Sequence, residues 1–269
     1  MTEGEKPRMM SSLERMLALL DLFTEANPVW SVDEIAAKFG YTRSTAYRYV
    51  RELSDAGLLT PAATARYSLG PRIIQLDRQL RTSDPLLRAM ETVKPALPKW
   101  SREEMWLLCR LFQDTVICIE QIGTLRQGVS FSRGYPMPLF RGATSKAILA
   151  FLPERHLMRL YLDNPQLVNE TGLGATWHEF KASLKQIRQQ GYAVSVGEVD
   201  EGVFGIGAPV FDATAKVIGS VSLVRPASAL DGVHWVEESA GLVDVAKRLS
   251  SGMSDLRASE ASADLKTSH

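Results

Sequence analysis

The 269-residue chain is 45% hydrophobic and 23% charged, with 31 basic and 31 acidic side chains, the make-up of a globular protein of one large or two ordinary domains. Zero formal net charge rules out nucleic-acid binding through global basicity. No apolar run approaches the roughly 20 residues of a membrane span, and the N-terminus MTEGEKPRMM has no apolar core for export, so a cytoplasmic protein with no membrane partner is expected.

Residues 1–10 are polar and expected to be disordered. Ser11 or Ser12 can cap a helix through about Phe23, with Leu13, Met16, Leu17, Leu20 and Phe23 on its buried face and Asn27-Pro28 as its breaker. Val32, Ile35, Ala36 and Phe39 make a second short amphipathic helix, stopped by Gly40. The next stretch, YTRSTAYRYVRELSD (41–55), organises the front of the chain. Ala46, Tyr49, Val50 and Leu53 form one apolar stripe at helical spacing, while Arg43, Ser44, Thr45, Tyr47, Arg48 and Arg51 lie on the other side. Thr42 is a plausible N-cap. Local charge agrees. Residues 1–40 carry four basic and seven acidic side chains, whereas 41–81 carry seven, all Arg, against three acidic. Arg can bond phosphate or guanine edges bidentately, which Lys cannot. A helical hairpin with a solvated basic face would read similarly. The elements that follow favour a winged helix-turn-helix: Gly57 past the helix end, then Leu58-Leu59-Thr60 and Arg66-Tyr67-Ser68-Leu69 as a short hairpin.

Pro71 can open a further helix carrying Ile73, Ile74, Leu76 and Leu80, with a joint at Ser83-Asp84-Pro85. So much apolar surface on so small a unit implies a second subunit or a neighbouring domain, and two-fold symmetry would present two recognition helices to two half-sites. From Trp106 the period becomes that of strands: 106–112, 115–122 and 128–131, then, after a helical region, 192–196, 203–211 and 217–224. Pro136 to Ala143 reads as a loop, Thr144 to Phe151 as a helix, Pro153 as the start of another, Asp163 to Gly174 as a loop and Thr176 to Gln190 as a helix ended by Gly191. A closing helix at about 232–250 precedes a polar tail, 252–269, that need not fold. The class is α+β. The expected division is 11–71 for the winged helix-turn-helix, 72–86 for a linker helix and 87–251 for the second domain.

Across roughly residues 12–251 the chain resembles the IclR family of bacterial transcription regulators. The resemblance is carried at the front by SVDEIAAKFG (31–40), TRSTAYRYVREL (42–53) and GLL (57–59). At the back it is carried by RGATSKAILAFLP (141–153), GY (191–192), E-x-x-x-G (198–202), GAPVFD (207–212) and IGSVSL (218–223). It implies a GAF-like effector-binding domain with a twisted antiparallel sheet, a pocket for a small metabolite (often a carboxylate or aromatic acid), and homodimers or homotetramers on a pseudo-palindromic operator in double-stranded promoter DNA. Carried over by position, the pocket is expected from Met137, Ala143, Thr144, Ser145, Ser195, Val203, Gly205, Ser222 and Val224. The chain departs from the family where many relatives have His and Gly, at Phe140 and Ser145, and where an acidic residue is sometimes found, at Ser195. DNA contacts are expected from Arg43, Ser44, Thr45, Tyr47, Arg48 and Arg51, with Arg66 on the wing.

Other chemistry is poorly supported. Gly142–Lys146 lacks phosphate-loop spacing, though as a helix N-terminus it can hold a carboxylate through backbone N–H groups. Gly202-x-x-Gly205-x-Gly207 sits in a strand, where backbone crowding or a bulge is the plainer account. His156, His178, His234 and His269 show no metal-ligand spacing, and Cys109 and Cys118 read as small buried hydrophobes. No G-x-S-x-G or S-x-x-K motif occurs. No enzyme, cofactor or metal is expected; the competing reading, an enzyme or metabolite-binding module with an interaction unit in front, would need convergent titratable side chains in the rear pocket.

Overall fold

The computed structural model describes residues 10–126 and 129–267, with side chains to Met253. The disorder expected of residues 1–10 and the role of His269 therefore fall outside the described residues, wholly or nearly so. The chain divides into two compact units, 1–83 and 84–269.

In the first unit, α1 (Ser12–Leu17) begins with a capping box between Ser11 and Glu14 and then tightens into a 3-10 turn, Ala18–Leu22. One regular helix through Phe23 was expected. A two-residue strand follows, β1 (Trp30–Ser31), placed by the Trp30 indole N–H, which donates to the Leu22 carbonyl at 2.9 Å. Helix α2 (Val32–Phe39) starts on a second capping box, Ser31 with Glu34, and stops at Gly40, whose φ of +67° only glycine adopts without strain. Helix α3 (Arg43–Asp55) is capped by Thr42 and buries Ala46, Tyr49, Val50 and Leu53, the stripe read from its spacing. Strands β2 (Leu59–Ala63) and β3 (Arg66–Leu69) form the wing, and β1 joins β3 to complete a three-stranded sheet. Two residues are too short for alternation to reveal, so β1 was not anticipated. Helix α4 (Arg72–Ser83) buries none of its residues within this unit.

The second unit opens with α5 (Pro85–Val93). The Asp84 carboxylate caps it, accepting from the N–H groups of Leu86 and Leu87, and also binds Arg110. The break between α4 and α5 falls at the joint expected at Ser83-Asp84-Pro85, within the 72–86 stretch expected as a linker helix. Strands β4 (Met105–Phe112) and β5 (Thr115–Gly123) form a hairpin, edged by β6 (Pro136–Met137). No strand forms at 129–131, where one was expected; the β5 edge takes up Pro136 and Met137 instead. Helices α6 (Gly142–Leu149), α7 (Glu154–Asp163), α8 (Pro165–Glu170) and α9 (Trp177–Gln190) follow, α8 lying inside an expected loop. Strands β7 (Ala193–Val196), β8 (Val203–Phe211) and β9 (Val217–Pro226) and helix α10 (Trp235–Thr267) close the chain. The backbone of α10 stays helical well past Ser250, where a tail that need not fold was expected.

The six strands form one antiparallel sheet in the order β6-β5-β4-β9-β8-β7. Alternation sorts the core. Met105, Leu107 and Cys109 face the side covered by α6, α7 and α9, whereas Trp106 and Leu108 face α5 and α10. Covered on both faces, β8 reads as a nearly unbroken apolar run. Cys109 and Cys118 lie opposite each other on β4 and β5, free and buried; their mutual hydrogen bond, then burial, push the Cys109 thiol well above its ordinary range. Helix α6, with all its residues buried, lies across β8 and β9. Two close approaches seat it. A Cβ on Gly207 would stand 2.7 Å from the Ala143 carbonyl oxygen, and the Ser220 hydroxyl donates to the Thr144 carbonyl at 3.0 Å.

A candidate nucleic-acid interface and a candidate ligand cavity

The outer face of α3 presents Arg43, Ser44, Tyr47, Arg48 and Arg51 to solvent. Arg43 lies 2.9 Å from Asp33 and Arg51 3.6 Å from Asp55. Exposed pairs of this kind are worth at most about 1 kcal/mol, so a phosphate can replace either carboxylate. Arg48 rests its guanidinium over the Tyr49 ring at 5.4 Å and has no acidic partner among the described residues. Thr45 is half-buried, and its hydroxyl is engaged with that of Thr42. Arg66 is placed differently from the other expected contacts. Its guanidinium donates to the Val29 carbonyl at 3.1 Å and to the Glu34 carboxylate at 3.2 Å. Glu34 is held below the ordinary carboxylate range by the backbone N–H and hydroxyl of Ser31 first, and by Arg66 after them. Arg66 therefore fastens the wing to the start of α2.

In the second unit, a cavity of about 30 Å³ lies where the N-terminus of α6 meets β8 and β9, room for little more than one water molecule. Eight of the expected residues line it: Met137, Ala143, Thr144, Ser195, Val203, Gly205, Ser222 and Val224. Ser145 is not among them. It is fully buried one position further along α6, and its hydroxyl has no hydrogen-bond partner. The lining also includes Gly142, Gly197, Glu198, Val199 and Phe204, which belong to the expected 137–145 and 195–205 stretches, and Leu107 and Phe131, which were not expected. Strand parity could have found Leu107, because it faces the same side as Met105 and Cys109. Glu198 was visible within E-x-x-x-G, but nothing in the sequence told where its carboxylate goes. Arg126, Arg133 and Arg141, in or just before the loop expected at 136–143, do not line the cavity; the Arg133 guanidinium donates to the Ile119 carbonyl.

The first backbone donors of α6 are both occupied. Gly142 N–H donates to Glu198 Oε2 at 2.9 Å and Ala143 N–H to Ser195 Oγ at 3.0 Å. Glu198 Oε1 also accepts from Lys146 Nζ, whose side chain is 9% exposed. The hydroxyls of Thr144 and Ser222 are hydrogen-bonded to each other at 2.9 Å. The result is a small, largely apolar chamber with one polar end, where a helix N-terminus, hydroxyls and the Glu198 carboxylate meet, the buried Lys146 ammonium standing behind that carboxylate and outside the lining. That end suits an anion. A larger hollow, about 260 Å³ beside Pro85, Arg110, Asp212 and Met253, offers a guanidinium already committed to Asp84 and a carboxylate that accepts from the Thr214 and Lys216 N–H groups. Among the described residues, no three His, Cys, Asp or Glu side chains gather to hold a metal, and no helix is long and apolar enough to cross a membrane.

Comparison with known proteins places these features. Residues 12–62 match the model of the IclR helix-turn-helix domain, and residues 86–251 match that of the bacterial transcriptional regulator IclR C-terminal domain. The chain is 28% identical over 249 residues to the glycerol operon regulatory protein of Streptomyces griseus, covering 90% of this chain and 96% of that one. An IclR transcriptional regulator from Alicyclobacillus acidocaldarius superposes with a TM-score of 0.71 at 25% identity, over 91% of this chain and 99% of the other. An IclR homologue from Microbacterium hydrocarbonoxydans, solved in complex with 4-hydroxybenzoate, shares the fold with a TM-score of 0.66 at 21% identity, over 90% of this chain and 99% of its own. With both of its units matched, the chain belongs to the IclR family of bacterial transcription regulators, as a DNA-binding regulator that carries an effector-binding domain.

Proposed function

We propose that the regulator responds to a small organic or aromatic acid bound at the α6 end of the cavity, and that binding alters its grip on a pseudo-palindromic operator. The observation carrying this reading is the convergence of the Gly142 and Ala143 N–H groups and the Ser195 hydroxyl at one end of a largely apolar chamber, with the Lys146 ammonium next to them on the far oxygen of Glu198. A carboxylate can use those donors, and Leu107, Phe131, Met137 and Val224 can hold its apolar body. The 4-hydroxybenzoate bound by the Microbacterium homologue belongs to the same class. On the DNA side, Arg43 and Arg48 reach guanine edges or phosphates, Ser44, Thr45 and Tyr47 set the register, and Arg51 meets the backbone. Arg66 acts mainly by holding the wing.

A homodimer or homotetramer completes the reading. Leu13 and Leu17 on α1 and Ile74, Leu76 and Leu80 on α4 are exposed on the first unit, Ile74 at 73%. A second copy covering those side chains would bring two α3 helices to two half-sites. The protein works in the cytoplasm, where promoter DNA lies. The test is a thermal-shift screen of the full chain with benzoate, 4-hydroxybenzoate and short aliphatic acids against their amides. A ligand selective for the native state stabilises it by about 2.7 kcal/mol at a hundred times its Kd. Acids should raise the melting temperature and amides should not. A panel in which no acid acts, or in which amides act equally, defeats the assignment.

A further inference from the structure

The geometry points to Glu198 as a built-in ligand: its carboxylate occupies the seat of the effector's carboxylate, and effector binding requires it to leave. This deepens the acid-effector reading above and rests on it. An empty anion seat would leave the Gly142 N–H and the ammonium of Lys146 buried without partners, at a substantial cost in free energy. Glu198 supplies both partners at once, Oε2 to Gly142 and Oε1 to Lys146. The seat is therefore satisfied before any ligand arrives, and the chamber behind it measures about 30 Å³, too little for an acid of even a few carbons.

The segment bearing Glu198 is placed to act as a stopper. It joins β7 to β8, and its ends are glycines with left-handed backbone, Gly197 at φ +64° and Gly202 at φ +77°. Val199 presses on the start of α6, with its Cγ2 2.9 Å from where a Cβ on Gly142 would stand. Asp200 accepts from the Ser130 N–H at 2.8 Å, tying the segment to the chain next to Phe131, which lines the cavity. The Glu198 side chain is 24% exposed against 9% for Lys146, so the carboxylate has a short way out to water while the ammonium stays behind. An entering carboxylate exchanges one anion for another at Lys146 and Gly142. The charge of the seat is unchanged, and the 197–202 segment is released. The effector signal thus begins as the displacement of this segment, and apparent affinity is lowered by the share of molecules in which the seat is filled from within.

The experiment uses the full chain with Glu198→Ala and, as a nearly isosteric second variant, Glu198→Gln, titrated with 4-hydroxybenzoate and benzoate by calorimetry, and melted with and without acetate. An internal competitor that is removed must give tighter binding: at least tenfold for Glu198→Ala, with a smaller change of the same sign for Glu198→Gln. Acetate should raise the melting temperature of Glu198→Ala and leave the wild type unmoved. Acid binding that is unchanged or weaker in both variants makes Glu198 a plain structural tie and overturns the inference while leaving the acid-effector reading intact. Acetate rescue with no larger acid bound by any form keeps the carboxylate seat and refutes the larger-acid effector. Neither binding nor rescue overturns both.

Discussion

Alanine at Gly205 and at Gly207 should have opposite consequences, although the two positions lie two residues apart on β8. At Gly207 the new methyl would stand 2.7 Å from the Ala143 carbonyl oxygen, 2.8 Å from its carbon and 2.9 Å from Ser222 Oγ. Two of these atoms are backbone of α6, a helix with every residue buried, so relief requires moving the helix off the sheet. Overpacking of this kind costs typically 1–3 kcal/mol, and backbone contact this close belongs at the upper end. For a unit of this size, about 2–4 °C per kcal/mol turns a loss of about 3 kcal/mol into a melting temperature lower by roughly 6–12 °C. At Gly205 the nearest atoms are Ser195 Oγ at 3.5 Å, the Leu223 carbonyl oxygen at 3.6 Å and Ala143 Cβ at 3.7 Å, all ordinary contacts. Gly205→Ala should hold or gain stability, by about 0.4–1 kcal/mol from the restricted unfolded chain. The same methyl narrows the cavity between Ser195 and Ala143, so acid binding should weaken tenfold or more. Thermal melts of both variants, followed by calorimetry on the stable one, decide the matter. A Gly207→Ala protein as stable as wild type, or a Gly205→Ala protein that loses as much as its neighbour, would refute the account of how α6 is seated.

Other variants probe other parts of the molecule. Arg225 and Glu238, 3% and 2% exposed and 2.5 Å apart, join β9 to the first turns of α10; Glu238→Gln should cost about 3–5 kcal/mol by stranding a buried guanidinium, read as a lower denaturation midpoint at unchanged slope, and replacement of both by Met and Leu should cost much less. Arg48→Ala should weaken specific operator binding by about 1–3 kcal/mol and leave folding within about 0.5 kcal/mol; unchanged affinity and selectivity in a salt-controlled titration would reject a base-reading role. Arg66→Ala, by contrast, should loosen the first unit in thermal melts before it changes sequence preference. Asp114 is held below its ordinary value of 3.8 by Arg159 first and then His156. Its contribution is therefore present above the unfolded carboxylate pKa and is lost as pH falls through the lower folded value, so wild-type and Asp114→Asn stabilities should differ by less than about 1 kcal/mol at neutral pH and converge in acid.

How far the sequence could be read follows the range of the forces involved. Caps and stops were legible because they are settled within four residues: Thr42 as the cap of α3, Gly40 and Gly191 as stops, both left-handed in the structure. The α3 stripe was legible because period 3.6 and burial agree over thirteen residues. What escaped notice is set by distant partners. Strand β1 exists because β3 offers it an edge, and β6 because β5 does; neither is long enough to show alternation. For the cavity, positions carried over from the family marked the walls. They could not show that Ser145 turns away from it, or that Arg66 is engaged by Glu34, thirty-two residues distant in the chain.

The glycines of β8 show why the walls and the occupant of the cavity are legible to different degrees. Gly207 lets α6 descend until the Ala143 carbonyl nearly touches the strand, and this places the helix N-terminus directly beside Ser195 and Ser222. Once there, its N–H groups need acceptors whether or not a metabolite is present. A chain that carries its own acceptors on a segment bounded by left-handed glycines meets that need without closing the site permanently. Under the proposed displacement of Glu198, responsiveness and stability draw on the same bonds: the contacts that satisfy the start of α6 are those an effector must replace. On that proposal affinity is set by the difference between two carboxylates at one seat, and the seat itself contributes to that difference only where it tells them apart.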